Sequence, residues 1–248
     1  VHDHSWFAFV YLYKINKDIT VIHTHHGLMA WNSPPPVRYP CLVGISKWHA
    51  MHVMERLGVP VLHAYNGIDL SRYRMVKKKS DYVLYLGRIS RIKGVEIAIK
   101  AAVKARVKLV VAGSEDWGDP DYVLRIRELA KHVNVSYLGE VDEDDKIRLL
   151  QRARALVMPS TFNEPMGITA VEAMSCGTPV IAFRRGGLPE VVGDTGRLVD
   201  TFDELTDAMR DPPEIKPEDC RRQAERFSKE RMADRYEELY DLALRDPW

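Results

Sequence analysis

From residue 82 onward the chain alternates short, continuously apolar runs with longer segments of helical spacing, and this alternation restricts it to α/β order. Tyr82–Leu86, Val107–Ala112, Val133–Leu138, Leu156–Met158, Pro179–Phe183 and Gly196–Val199 predict strands. Between them, Val95–Ala105, Tyr122–His132, Asp144–Arg154 and Met166–Ser175 predict helices. Strands apolar on both faces fit a parallel sheet with helices on either side. The first part repeats the pattern on a smaller scale, with strands at Ile19–Ile22, Leu42–Ile45 and Val59–Leu62 and a helix over Lys47–Leu57. The Asn-Gly turn of YNGID, Tyr65–Asp69, marks a boundary. Two α/β units are therefore predicted, at 1–66 and 67–227, followed by a terminal segment 228–248 whose helix, Ser228–Ala243, is capped by Ser228. An open doubly wound unit carries about five strands or more. The first unit has three, and reads as short or truncated. Val1 falls where a strand would end, and Ser5 reads as the cap of the next helix.

Bulk properties narrow the function. The 248 residues are 46% hydrophobic and 29% charged, as in an ordinary globular protein, and the net charge of +1 supplies no field for nucleic acid. The run Lys77–Lys79 reads as a solvated loop. Three widely spaced cysteines, Cys41, Cys176 and Cys220, describe a reduced, cytoplasmic protein. Cys176 reads as a small core residue. The apolar run Trp6–Leu12 is too short for a bilayer and lacks the layout of a secretion signal. The aromatic cluster Trp6–Tyr13 either packs on the sheet or forms an interface, such as that of a homo-oligomer. KIRLLQRARA, Lys146–Ala155, presents a basic face that is either solvated or in peripheral contact with an anionic membrane. HDH and HTHH, with His2, His4, His23, His25 and His26, alternate along a strand as easily as they ligate zinc, so no metal site is expected.

Two segments carry chemistry. In YLGRISRIKG, Gly87 follows a strand and Gly94 precedes a helix, with Arg88 and Lys93 between them. Ligands of open α/β sheets bind beyond the carboxyl ends of the strands. There, a two-pronged arginine and a point-charge lysine suit a diphosphate. Surface cations on a loop are the alternative reading. The second segment is FNEPMGITAVEAMSCG. Gly167 stands at a helix mouth, where free N–H groups and the dipole favour an anion. Glu172 lies five residues on, several Å along the axis, within reach of a ribose whose hydroxyls its carboxylate would accept. Glu164 precedes the mouth and would meet the hydroxyls of a second, transferred sugar. A helix cap for Glu164 and a surface salt bridge for Glu172 are the structural alternatives.

These segments carry a resemblance. Glu164 and Glu172 within NEPMGITAVEAMSCGTPVIAFRRGGLPEVV, together with GRISRIKG and NGID, resemble glycosyltransferase family 4, the retaining nucleotide-sugar enzymes that include glycogen synthase-like and mannosyltransferase-like members. The match runs over residues 40–245. It implies the GT-B fold, two Rossmann-like domains with parallel sheets, the last helix crossing back to the first domain.

The resemblance further implies a role for each matching residue. Arg88, Lys93 and Gly87 serve the donor diphosphate, and Glu172 the ribose. Glu164 and the backbone of Met166, Gly167 and Ile168 hold the donor sugar and phosphate. A first-domain histidine, His23 with His25 as a competing assignment, stands near the donor sugar as a catalytic group alongside Glu164. GGLPE, Gly186–Glu190, matches another family segment with no role assigned. The expected reaction is transfer of a sugar, with retention, from a UDP-, GDP- or ADP-sugar to a glycan, lipid or small molecule, without a cofactor or metal. The alternatives are a non-catalytic nucleotide-sugar-binding subunit or fragment lacking a complete acceptor site, and a relative that epimerises or phosphorolyses sugars.

Overall fold

The structure, a computed structural model, describes residues 1–4, 20–27 and 42–245. It divides into two compact units, one formed by Val1–Ile68 with Phe227–Trp248 and the other by Asp69–Arg226. The readings made for Ser5, for Trp6–Tyr13 and for Cys41 lie outside the described residues.

The first unit contains a parallel sheet in which the described strands are β1 (His2–Asp3), β2 (Ile22–His25), β3 (Leu42–Gly44) and β4 (Leu62–His63), in that spatial order. Helix α1 (Lys47–Leu57) starts at Ser46, whose hydroxyl accepts from the His49 amide, and stops at left-handed Gly58. The predicted strand Ile19–Ile22 is corrected: β2 begins where that prediction ended, so His23 and His25 lie inside the strand rather than after it. All four residues of β2 are buried, His23 and His25 among them.

The second unit is built on six parallel strands: β5 (Val83–Leu86), β6 (Leu109–Ala112), β7 (Val135–Gly139), β8 (Ala155–Met158), β9 (Val180–Phe183) and β10 (Gly196–Val199). Their spatial order is β10-β9-β8-β5-β6-β7. Helices α2 (Val95–Ala105), α3 (Pro120–Leu129), α4 (Glu143–Arg152) and α5 (Ile168–Ser175) follow β5 to β8 in turn. They are succeeded by α6 (Leu188–Val192), α7 (Phe202–Arg210) and α8 (Pro217–Ala224). Val95, Ala98, Ile99 and Ala102 of α2 pack on Val83, Tyr85, Leu109 and Val111 of the sheet, all buried. Alanines at this spacing let the helix lie close to the β-branched surface.

Helix α9 (Lys229–Arg245) belongs to the first unit. Ser228 Oγ accepts from the Arg231 amide at 3.2 Å and caps it. Tyr236, Leu239 and Ala243 join the core of Val21, Ile22, Leu42 and Val53, and the Tyr236 hydroxyl meets Thr24 Oγ1 of β2 at 2.8 Å. Among the described residues no helix is long and apolar enough to cross a membrane.

The lysine run is corrected in one member. Lys79 is half-buried, and its ammonium donates to Gln151 O, Cys176 O and Thr178 Oγ1 at 3.0, 3.1 and 2.8 Å. Burial lowers its pKa to about 8. Carbonyl and hydroxyl acceptors replace its water, whereas Lys77 stays exposed beside Glu218.

Burial likewise lowers His23, His25 and His49 of the first unit to about 4. Each is neutral when folded at pH 6, whereas in the unfolded chain it protonates below about 6.5. The unfolded state therefore binds more protons between pH 6.5 and about 4, so this contribution to stability is complete above 6.5 and declines as the pH falls through that window. Amide exchange followed by mass spectrometry should show peptides spanning residues 20–27 and 42–57 losing protection across that range, while those from β5 and β6 keep theirs.

Candidate functional site

Strand β5 is flanked by β6 on one side and by β8 on the other, so the order in which strands are laid down, outward through β6 and β7, switches to the opposite side at β8. Val83 pairs with Ala155 and Leu84 with Leu156 in parallel register. Both strands therefore release their following loops from the same edge, at the switch point where open α/β sheets take ligands. The loop after β5 is GRISRIKG and the loop after β8 is PSTFNEPMG, the two segments singled out by their chemistry.

The loops are locked together through the backbone. The Thr161 amide donates to Ile92 O at 2.8 Å. Gly94 takes a left-handed φ of 74°, and a Cβ there would stand 2.0 Å from Pro159 O. Only glycine fits that contact and that conformation. Lys93 is thereby set with its ammonium 2.7 Å from Glu164 Oε1 and 4.8 Å from the centre of the Phe162 ring. Ser160 donates to the same Glu164 oxygen at 2.6 Å. Glu164 is 4% exposed, so the pair is largely desolvated and its charges are mutually dependent.

GGLPE acquires a structural function. The Gly187 amide donates to Glu164 O at 2.7 Å, and a Cβ on Gly186 would lie 2.2 Å from that same carbonyl. The segment thus holds the Glu164 backbone, while Lys93 meets its side chain.

Helix α5 opens at Gly167, whose φ is 91°. Its residues Ala170–Ser175 are buried, while Ile168 at the mouth, where the first helical N–H groups lack intrahelical acceptors, is 41% exposed. Met166 is buried. Gly87 continues β5, its amide donating to Ala112 O at 3.1 Å. The Arg88 side chain is exposed and forms no ion pair among the described residues.

Glu172, on the second turn of α5, is 9% exposed. Its Oε1 accepts from the Tyr73 hydroxyl at 2.7 Å and from Lys146 Nζ at 2.8 Å. Lys146 also meets Glu143 Oε2 at 2.8 Å. Burial alone would lower the Lys146 pKa, but the hydrogen bonds it donates to Glu143 and Glu172 outweigh that and raise it. The Tyr73 hydroxyl is raised by burial and by the Glu172 charge. Lys146 is thus turned into the unit rather than standing on a basic outer face, and Arg148 on the same helix pairs with Asp145.

The structure brings Lys93 and Glu164 together at the mouth of α5, with Glu172 further along the same helix. His23 and His25 belong to the other unit. His23 is wholly buried with Nδ1 3.4 Å from Asp3 Oδ2, and the His25 and His49 rings stack with centres 5.6 Å apart. Among the described residues no set of three or more His, Cys, Asp or Glu side chains is arranged to hold a metal. Sequence reasoning missed Tyr73, Lys146, Ser160 and Phe162. Phe162 opens the segment that was read and Ser160 lies two residues before it, whereas nothing in local spacing links Tyr73 or Lys146 to Glu172.

Comparison with known proteins gives consistent matches. The model for glycosyl transferases, group 1, matches residues 71–228. The chain is 38% identical over 247 residues to a D-inositol 3-phosphate glycosyltransferase of Mycobacterium sp. (strain KMS), covering 82% of this chain and 56% of that protein. It is 34% identical over 154 residues to the protein of the same description from Mycobacterium leprae (strain Br4923), covering 55% and 36% respectively. The chain thus spans roughly a third to a little over half of the length of these curated relatives. Among solved structures, that of AviGT4, a glycosyltransferase involved in avilamycin A biosynthesis, superposes with a TM-score of 0.78 at 28% identity, over 98% of this chain and 73% of that one. The two α/β units are of the GT-B class.

Replacing Lys93 by methionine strands a buried carboxylate, and should lower unfolding free energy by about 2 kcal/mol in urea titrations. The same replacement at Lys131, an exposed partner of Glu128, should leave the transition nearly in place.

Proposed function

The chain belongs to the glycosyl transferases, group 1, and from that premise we propose that it moves a sugar, with retention of configuration, from a nucleoside diphosphate-sugar to an acceptor hydroxyl. The observation that carries this reading is the ion pair of Lys93 with buried Glu164 beside the open amino terminus of α5. A cation, free N–H groups and a carboxylate within one loop cluster are the groups needed to hold a diphosphate next to a polyhydroxylated ring.

In the proposed reaction Arg88, Lys93 and the first turn of α5 neutralise the charge that grows on the departing diphosphate. Gly87 and Gly167 let phosphate oxygens approach the backbone. The bond from the anomeric carbon to the diphosphate oxygen breaks as the acceptor oxygen bonds to the same face, and the acceptor proton passes to the leaving phosphate oxygen. Glu164, with the backbone from Met166 to Ile168, accepts from and orients the hydroxyls of the donor sugar. Glu172 accepts from the ribose. These donor-binding groups all lie in the second unit, and the proposed reaction invokes no divalent ion. We place the reaction in the cytoplasm, on the strength of Cys176 and Cys220 being buried free thiols.

Isothermal titration of the chain with UDP, GDP and ADP should reveal one preferred nucleotide. Arg88→Ala and Glu172→Ala should each weaken it by about tenfold or more, the size of one charged hydrogen bond. Failure of all three nucleotides to bind would overturn the reading. Where transfer is assayed, excess EDTA should leave the rate unchanged.

A further inference from the structure

We infer that Tyr73 and Lys146 are positioning residues that hold one oxygen of Glu172, so that its other oxygen accepts from the vicinal hydroxyls of a ribose. The inference rests on the donor reading above and adds two residues that act through Glu172.

The bonding of the carboxylate is one-sided. Oε1 takes both the Tyr73 hydroxyl, at 2.7 Å, and Lys146 Nζ, at 2.8 Å. Oε2 takes no donor among the described residues. A carboxylate has room for about four hydrogen bonds. One with half its capacity unfilled is costly to bury unless water or a ligand supplies the rest. The Glu172 side chain keeps 11% of its surface, so it retains access from outside.

The two donors are themselves restrained. Lys146 directs its three N–H bonds to Glu172, to Glu143 Oε2 at 2.8 Å and to the Tyr73 oxygen at 3.2 Å. Tyr73 is 4% exposed. Its carbonyl accepts from Arg221 at 2.7 Å, and the same guanidinium binds Ser175 O at 3.1 Å and Leu70 O at 3.2 Å. A carboxylate fixed by restrained donors loses its rotamer freedom before a ligand arrives, which lowers the cost of ordering it on binding. A salt bridge that serves only stability would be indifferent to the hydroxyls of a nucleotide sugar.

The test is isothermal titration of the full chain with UDP, GDP and ADP, each beside its 2′-deoxy counterpart. The unmodified chain should prefer the ribonucleotide by about tenfold or more. That preference should shrink toward unity in Tyr73→Phe, which keeps the ring and removes one donor, and in Lys146→Met, with circular dichroism checking that both variants are folded. Equal weakening of ribose and deoxyribose forms, with the preference unchanged, would overturn the inference and leave the pair a structural role. Absence of binding by any of the three ribonucleotides to the unmodified chain would instead overturn the donor reading, and this inference with it.

Discussion

The parallel pairing of β5 with β8 is the constraint on which the site depends. Parallel strands deliver their following loops to one edge, and here two loops more than 60 residues apart in sequence arrive as neighbours. Their contact is made by backbone before any side chain is considered. Gly94 against the Pro159 carbonyl and Gly186 against the Glu164 carbonyl admit no Cβ, and the Thr161 and Gly187 amides complete the junction. Lys93 and Glu164 then meet because their main chains are already placed.

The electrostatics follow from this placement. Ion pairs on the outside of the second unit, such as Arg91 with Asp119, are exposed and interchangeable with water. The Lys93–Glu164 and Lys146–Glu172 pairs are not, because their carboxylates are buried and the cation that reaches each comes from another segment. Buried charges of this kind contribute little net stability and a great deal of geometric definition. Their concentration at the switch-point edge is what separates this edge from the remaining surface.

Much of the fold was legible because buried parallel strands carry no polar face to confuse the pattern. Helices α1 and α2 begin and end as read, and β10 likewise. Helix α7 went unread although Thr201-x-x-Glu204 is a capping box, which the structure completes with the Glu204 amide on Thr201 Oγ1. Helix α8 buries only Cys220 and Ala224, so its charged sequence offered no apolar stripe, and Pro217 at its start was the one available signal. At the site, Lys93, Glu164, Gly167 and Glu172 were legible because each sits in a short segment whose residue types belong to one chemistry. Tyr73 and Lys146 were not, because their bearing on Glu172 comes from packing across 99 and 26 residues of chain. Lys79 was misread for the same reason, since the acceptors that bring it inside lie in α4 and after α5.

The Arg221 guanidinium gathers carbonyls from Leu70, Tyr73 and Ser175 into one clamp. Its partners span almost the entire second unit, with Tyr73 148 residues before Arg221. Loop closure over such a span is among the slowest contacts a chain of this size can make. During synthesis from the amino terminus the sheet's six strands are all available before α8 emerges. The clamp therefore closes only once α8 has emerged, and until then the Tyr73 carbonyl lacks Arg221 while its hydroxyl can already meet Glu172 and Lys146.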